Sequence, residues 1–302
     1  MRENTIVLEG GLGNRMRVAA SAYAMSREAN IPLRVVWTAQ WGMRCRFDDL
    51  FEPVAVPGDT PFCLRDAEGW ERAVLARPRL SNMYAPRVLQ RLCFSKIILA
   101  PQVWHLNQEG FDYRDWMRRG GCMLAAYRDF CDWDAADLRL LFRPNATVQR
   151  LIDARCSRFT ADTIGIHIRR TDHRQAIDES PLELFVEAIE REREASSCTT
   201  LRHGDTFRIY LATDDEATKD ALRSRYGSSV IMSDAEATRE SADGIRDALA
   251  EMFALSRTRR IYGSAGSTFS PIAAALGNVP ITIVQRDGDG TIDLRCRNMC
   301  RT

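Results

Sequence analysis

The fold of this chain is decided by the stretch Ile164-Gly165-Ile166-His167-Ile168-Arg169-Arg170-Thr171-Asp172. Isoleucine alternates with a small or polar residue up to Ile168, which predicts a buried strand. The strand ends in two arginines, at the end where open α/β sheets bind ligands. Because a guanidinium makes bidentate, charge-assisted bonds to phosphate oxygens, Arg169 and Arg170 are candidate phosphate ligands. From residue type alone, ion pairing with Asp172 explains them equally well.

The composition of the chain weakens the case for a phosphate site at these arginines and excludes some classes of partner. Lysine occurs only at Lys96 and Lys219, so 40 of the 42 basic residues are arginine and an isolated arginine means little. The length of 302 residues suits one large or two medium domains. With 41 acidic residues the net charge is +1, so no global field recruits nucleic acid or an anionic membrane. Any anion site must therefore be local.

Targeting and metal signals are absent from the sequence. The first ten residues contain no apolar signal core, and no later window resembles a membrane span, so we predict a cytoplasmic protein without stable membrane insertion. The nine cysteines are odd in number and mostly lie in apolar segments, as reduced thiols do. Cys296 and Cys300 lack zinc-knuckle spacing and have no histidine nearby, so no metal site is expected.

The second half of the chain alternates between strand and helix patterns. Strands are predicted over 163–168, 207–212, 229–232, 259–262 and 281–284, and helices over 147–159, 182–193, 216–226, 245–256 and 271–276. A strand, a glycine turn, a helix from Asn14 and a second strand open the chain as a βαβ unit. Residues 38–143 show little pattern, and we interpret them as substrate-specific loops or poorly patterned helices. We expect two α/β domains, over 1–158 and 159–302.

Motifs at several separated places resemble those of one enzyme family. The run from His167 to Asp172 is similar to the His-x-Arg-Arg-Thr-Asp signature of the superfamily of α1,6-fucosyltransferases, nodulation fucosyltransferases and protein O-fucosyltransferases. Residues 210–215 and 267–270 resemble its second and third blocks in the same order, and residues 10–15 stand where it has a glycine-rich turn. The resemblance implies the GT-B fold, in which two Rossmann-like domains face each other across a cleft.

The resemblance also implies an activity. The chain is expected to be an inverting, metal-independent glycosyltransferase that moves fucose from GDP-fucose to a glycan or other hydroxyl acceptor, with no cofactor beyond this donor substrate. Its expected partners are a sugar nucleotide and a glycan acceptor, and no oligomeric state follows from the sequence. Two alternatives stay open: an α1,2-type fucosyltransferase and a nucleotide-sugar-binding protein without catalysis. An NAD-dependent oxidoreductase is disfavoured by the incomplete dinucleotide fingerprint.

Phosphate and base contacts follow from the matched blocks. The turn lies before a helix N-terminus, where backbone N–H groups bind anions, although from the residues alone a tight turn without a ligand is the better explanation of its spacing. The resemblance places the turn beside the pyrophosphate, His167 against the donor base and Arg169 on the β-phosphate. Arg170 and Asp172 are expected to brace Arg169. The turn residues assigned to the nucleotide are Gly11, Leu12, Gly13 and Asn14.

Carboxylates and hydroxyls complete the predicted site. Of Asp214 and Asp215, at least one should cap the following helix, and the other is expected near the ribose or base. Glu251 lies in an otherwise apolar helix and needs a partner, which is guanine by resemblance or an arginine by simple ion pairing. Asp178 or Glu179 is the candidate base for the acceptor hydroxyl, and either could equally cap a helix starting at Pro181. A phosphate cradle is assigned to Ser267, Thr268, Phe269 and Ser270.

Overall fold

Two compact units make up the chain. The computed structural model describes residues 3–39, 43–75, 85–170, 174–198, 207–234, 238, 240–286 and 292–296. The first unit comprises Met1–Asn145 with Arg239–Ile245, and the second comprises Ala146–Thr238 with Arg246–Thr302. The sequence placed the boundary at residue 158, whereas this division falls at Asn145, so that the helix over 146–156 is grouped with the second unit. Each unit is an α/β body around a largely parallel sheet, which confirms the predicted fold class.

The first unit is built on a five-stranded parallel sheet with the order β3-β2-β1-β5-β4. Its elements are β1 (Asn4–Leu8), α1 (Leu12–Ala29), β2 (Leu33–Trp37), β3 (Phe62–Asp66), α2 (Glu71–Val74), α3 (Ala85–Cys93), β4 (Lys96–Ile98), α4 (Ala100–Gln108), α5 (Tyr113–Met117), β5 (Cys122–Ala126) and α6 (Ala135–Leu141). The interpretation of 38–143 as loops was therefore wrong, and the alternative of poorly patterned helices holds for α2 to α6 but not for β3, β4 and β5. Strand β5 is buried at every position and β4 has only three residues, so neither shows the alternation that identifies a strand.

The second unit is built on a six-stranded sheet with the order β11-β10-β9-β6-β7-β8. Its elements are α7 (Ala146–Cys156), β6 (Thr163–Ile168), α8 (Arg174–Glu179), α9 (Leu182–Cys198), β7 (Arg208–Thr213), α10 (Glu216–Tyr226), β8 (Val230–Met232), α11 (Ala242–Leu255), β9 (Ile261–Ser264), α12 (Phe269–Gly277), β10 (Ile281–Arg286) and β11 (Ile292–Cys296). Only β11 is antiparallel to its neighbour, and it was not predicted. The other strands and the long helices were predicted to within a few residues.

Apolar residues at regular spacing hold helix α9 against this sheet. Phe185 and Ile189, four residues apart on one face of α9, are both fully buried. They pack in one cluster with alternate residues of β6, which are Ile164, Ile166 and Ile168. His167 and Gly165 therefore lie on the opposite face of the strand. No helix among the described residues is long and apolar enough to cross a membrane.

Glycine makes the turn between β1 and α1. Gly10 has a φ of +81°, a conformation that L-residues rarely adopt, and a Cβ there would lie 2.8 Å from Asn14 Nδ2. Because Gly10 alone reverses the chain, α1 begins at Leu12 with Gly11 as its extended N-cap, two residues earlier than predicted. Leu12, Gly13 and Asn14 therefore belong to the first turn of the helix.

Replacing Gly10 with alanine should lower the free energy of unfolding by about 1–3 kcal/mol, because it combines left-handed strain with a steric clash. Gly11→Ala is the matched control, since a Cβ at Gly11 meets no atom within 4 Å. Urea unfolding of both variants measures the difference. Equal stabilities for the two variants would show that the backbone conformation of Gly10 does not constrain this turn.

Candidate functional site

The predicted site residues of the second unit lie where its central strands end. Strand β6 pairs in parallel with β7, with Ile168 opposite Thr213, and with β9, with His167 opposite Gly263. Residues that directly follow these strands therefore meet at one edge of the sheet although they are far apart in the sequence. The edge brings together Arg169, Arg170, Asp214 and Ser264.

The Asp214 carboxylate joins the ends of β6 and β7. Its Oδ1 accepts a hydrogen bond from the backbone N of Arg170 at 2.8 Å, and its Oδ2 lies 3.2 Å from Nη1 of Arg169. The side chains of Arg169 and Asp214 are only 18% and 12% exposed, so this ion pair is largely shielded from water. Asp214 thus orients the guanidinium that the sequence assigns to phosphate, a role we had predicted for Arg170 and Asp172. Asp172 lies outside the described residues.

Asp215 has the structural role that the sequence left open for one of the two aspartates. Its carboxylate accepts hydrogen bonds from the backbone N of Thr218 at 2.8 Å and from Thr218 Oγ1 at 2.6 Å. It is therefore the N-cap of α10. Arg170 is partly exposed, and its Nη1 approaches the carbonyl oxygen of Ile177 in α8 at 3.5 Å.

His167 is an interior residue of this edge. Its ring is 5% exposed, stacks on Phe269 with the centroids 4.8 Å apart, and lies 3.2 Å through Nδ1 from Ser270 Oγ. Burial and the neighbouring charge of Arg169 lower the pKa of His167 to about 3, so the imidazole is neutral at physiological pH. A neutral ring held by Phe269 and Ser270 suits a binding or packing role and does not suit proton transfer.

The hydroxyl-bearing residues at the end of β9 and in the turn after it are of two kinds, buried and partly exposed. Ser264 Oγ accepts a hydrogen bond from the backbone N of Arg169 at 3.0 Å and donates to the His167 carbonyl at 3.3 Å. Ser270 is fully buried against His167, whereas Ser267 and Thr268 are partly exposed. Ser264 was not assigned to the nucleotide from the sequence, although it belongs to the same hydroxyl-rich stretch as Ser267 and Ser270. It nevertheless fixes the backbone from which Arg169 projects.

Glu251 is a partly buried carboxyl group without a partner among the described residues. Burial, followed by the charge of Asp247, raises the pKa of Glu251 to about 8, although Arg155 and Lys219 oppose the shift. The simple ion pair that the sequence left open is not found in the described chain. Arg155 is instead paired with Asp247 and donates to Ser233 Oγ at 3.2 Å.

A buried hydroxyl lies close to the same carboxyl group. Tyr210, on β7, is fully buried, interacts electrostatically with Glu251, and its OH has no hydrogen-bond partner among the described residues. Unsatisfied buried polar atoms are uncommon in proteins and are costly without a partner. The surroundings of Glu251 are thus polar and incompletely paired. Asp247 and Tyr210 were both missed by the sequence analysis. The proximity of Tyr210 to Glu251 depends on how α11 packs against β7, and the pairing of Asp247 depends on Arg155 from α7.

The candidate bases Asp178 and Glu179 lie on a short helix between β6 and α9. Residues 174–179 form α8, which places Asp178 at an exposed position and Glu179 at a partly buried one. Leu182 then begins α9, so neither carboxylate interrupts a strand or the apolar core. Their positions allow contact with solvent or with a ligand. The described residues contain no group of three or more acidic, histidine or cysteine side chains that could hold a metal ion.

The glycine-rich turn belongs to the first unit and is fixed by Arg15. This residue is 2% exposed, donates to the carbonyl oxygens of Gly10 at 3.0 Å and Thr38 at 2.8 Å, and lies over the Trp37 ring. Burial lowers the pKa of Arg15 to about 10, which leaves it charged at neutral pH. The buried Oδ1 of Asn14 has no hydrogen-bond partner in the described part of the chain. Arg15 is therefore structural, and Asn14 keeps an acceptor for another group.

Residues 130–247 match the family model for alpha-(1,6)-fucosyltransferase N- and catalytic domains. Among curated proteins, no sequence matches the chain significantly. The chain resembles a crystal structure of NodZ α-1,6-fucosyltransferase soaked with GDP-fucose, with a TM-score of 0.64 and 16% identity over 98% of this chain and 100% of that chain. NodZ from Bradyrhizobium gives the same score and identity over 98% and 99%.

Two further solved structures share the fold. A mutant of Arabidopsis thaliana FUT1 in complex with GDP aligns with a TM-score of 0.60 and 18% identity, over 98% of this chain and 73% of that chain. POFUT1 in complex with GDP aligns with a TM-score of 0.52 and 11% identity, over 93% and 98%. At these identities the structural similarity concerns the fold, and with the family model it confirms the resemblance inferred from the motifs.

Stability should depend on pH through Glu251. Its pKa is raised from 4.5 to about 8, so the native state binds a proton that the unfolded chain has released, and stability falls as pH rises through that window. Glu251→Gln removes the titration, so the variant should exceed the parent in unfolding free energy at about pH 8.5, with the gap closing toward about pH 5. Urea unfolding at both pH values measures this. A gap independent of pH would contradict the raised pKa.

Proposed function

We propose that the chain is a glycosyltransferase of the fucosyltransferase superfamily and that it transfers fucose from GDP-fucose to a hydroxyl group of a glycan acceptor. The family model matched by residues 130–247 and the similarity in fold to NodZ support this proposal. The observation that carries this proposal is the unpaired, partly buried Glu251 in the unit that also holds the Arg169 and Asp214 pair. Guanine presents an adjacent ring N–H and exocyclic amine, and one carboxylate accepts from both. The NodZ structure was soaked with GDP-fucose, and the FUT1 and POFUT1 structures are complexes with GDP. Both ligands contain guanine, which supports the assignment of guanine to Glu251.

Arg169 has the main role in the proposed chemistry. As the bond between the fucose anomeric carbon and the β-phosphate oxygen breaks, negative charge develops on the departing GDP. The Arg169 guanidinium is already oriented by Asp214, so it stabilises that negative charge without having to reorganise. Because both side chains are largely shielded from water, the stabilisation is stronger than it would be at the surface. Ser267 and Thr268 are partly exposed at the start of α12 and offer further donors. Gly11, Leu12, Gly13 and Asn14 stay predicted phosphate contacts.

The proposed inverting reaction needs a group that accepts the proton of the acceptor hydroxyl. In the proposed reaction Asp178 or Glu179 takes the proton of the acceptor hydroxyl while its oxygen attacks the anomeric carbon on the face opposite GDP. The exposed position of Asp178 and the partly buried one of Glu179 both leave room for an acceptor. His167 is neutral and enclosed, which leaves these carboxylates as the better candidates.

The cytoplasmic location stays a prediction.

Arg169→Ala should abolish transfer from GDP-fucose while the protein stays folded, and Arg169→Lys should restore little, because an ammonium cannot reproduce a bidentate fork. The assay is run with excess chelator, since the proposal assigns charge stabilisation to arginine instead of a divalent ion. The expected result is full activity of the parent and loss in both variants. Near-normal turnover of the alanine variant, or activity of the parent only with added Mg²⁺ or Mn²⁺, would refute this assignment.

Base selectivity should depend on Glu251. Glu251→Gln is expected to weaken GDP binding by about 1.5–3 kcal/mol, because the amide replaces one acceptor by a clashing donor. Inosine diphosphate lacks the exocyclic amine, so the parent should prefer GDP to it and the variant should not. Isothermal titration measures both ligands, and Glu187→Gln, which removes a surface carboxylate paired with Arg191, is the matched control. Unchanged GDP affinity in Glu251→Gln would remove the guanine assignment.

A further inference from the structure

An arginine is available near Glu251, yet it does not pair with it. Arg155 projects from α7, and its Nη2 pairs with Asp247 Oδ1 and donates to Ser233 Oγ. Ser233 in turn donates to Asp247 Oδ2 at 3.4 Å, so hydrogen bonds join each of the three side chains to the other two. Asp247 and Glu251 are four residues apart on α11 and therefore lie on the same face of the helix. Because the charge of Arg155 also acts on the pKa of Glu251, Arg155 lies near both carboxylates, while its hydrogen bonds go to Asp247 and Ser233.

The charged groups around Glu251 come from four elements. Asp247 is on its own helix, Arg155 comes from α7, Lys219 from α10, and Asp214 directly follows β7. Tyr210 on β7 contributes a buried hydroxyl. Lys219 is bound to Glu216 at 2.7 Å, and Asp214 is bound to Arg169. Arg155, by contrast, is bound to Asp247, which lies on the same face of α11 as Glu251. The Nε of Arg155 has no hydrogen-bond partner among the described atoms.

We propose that Asp247 is a positioning residue for base recognition: by occupying Arg155, it leaves Glu251 unpaired and available to a base that offers two N–H donors. The inference rests on the proposed function, in which Glu251 receives guanine. Without Asp247, Arg155 turns to Glu251, and guanine must then displace a guanidinium from the carboxylate. Asp247 therefore affects nucleotide affinity without touching the nucleotide.

Protonation distinguishes this role from simple support of the helix. Glu251 is mostly protonated below about pH 8 in the parent, whereas the guanine contact uses the carboxylate, so GDP binding releases a proton and tightens as pH rises toward 8. Pairing with Arg155 would ionise Glu251 in advance, because an opposite charge favours the charged form of a carboxyl group. The pH dependence of affinity should then flatten. Titration of the diphosphate is common to all variants and cancels when their profiles are compared.

The test compares three full-length proteins: the parent, Asp247→Asn and the double variant Asp247→Asn with Arg155→Met. GDP affinity is measured by isothermal titration from about pH 6 to pH 8.5. Asp247→Asn should weaken GDP binding about tenfold or more near pH 8 and flatten the pH profile. The double variant lacks the competing arginine, so it should recover both the affinity and the pH dependence. It also leaves no unpaired cation, which protects its fold if the single variant unfolds.

Each outcome bears on the proposal. If the parent binds GDP but Asp247→Asn keeps the parent's affinity and pH profile, the positioning role is overturned and the proposed function stands. If the double variant is as weak as the single one, Asp247 merely supports the packing of α7 against α11, which also overturns it. If the parent does not bind GDP at any pH, the proposed function and this inference fall together.

Discussion

The candidate site depends on one carboxylate at the end of two parallel strands. Asp214 receives the backbone N of Arg170 and the guanidinium of Arg169, and it thereby fixes both the end of β6 and the direction of its first cation. A hydrogen bond to a charged group contributes about 1.5–3 kcal/mol, which is enough to offset the roughly 1.5–2 kcal/mol of rotamer entropy lost by one arginine side chain. Ser264 holds the same backbone from β9. The arginine is therefore oriented before any anion arrives.

Glu251 differs from the other buried carboxylates of the described chain because no arginine is paired with it. Elsewhere in the described chain buried carboxylates are taken up by arginines: Glu71 by Arg65, Glu192 by Arg259 and Arg260, and Asp137 by Arg27. A chain with 40 arginines readily supplies such partners. Glu251 has none among the described residues, although Arg155 lies close enough to act on its pKa. An unpaired carboxyl group in these surroundings is a property expected of a ligand site.

The sequence was sufficient for the parts of the fold that repeat a pattern. Strands β6, β7 and β9 follow from apolar runs, and α9 follows from apolar residues three and four apart, so their meeting point at Arg169 was predictable. The individual roles of Asp214 and Asp215 were not, because adjacent acidic residues look alike until the register of β6 and β7 places one beside Arg169. The pairing of Asp247 depends on Arg155, which lies 92 residues earlier in the chain, and it has no local signal. In the first unit the opening β1-α1-β2 was predicted. The part after β2 was poorly predicted because β4 has only three residues and β5 is buried at every position.

A crystal structure of the full chain soaked with GDP tests the central claim most directly. The account predicts that the guanine ring N–H and exocyclic amine lie within hydrogen-bond distance, about 2.7–3.2 Å, of the Glu251 oxygens. It predicts a β-phosphate oxygen at a similar distance from the Arg169 guanidinium, with the contact between Asp214 and the Arg170 backbone N retained. A nucleotide bound with its base away from Glu251, or with its diphosphate away from Arg169, would contradict it.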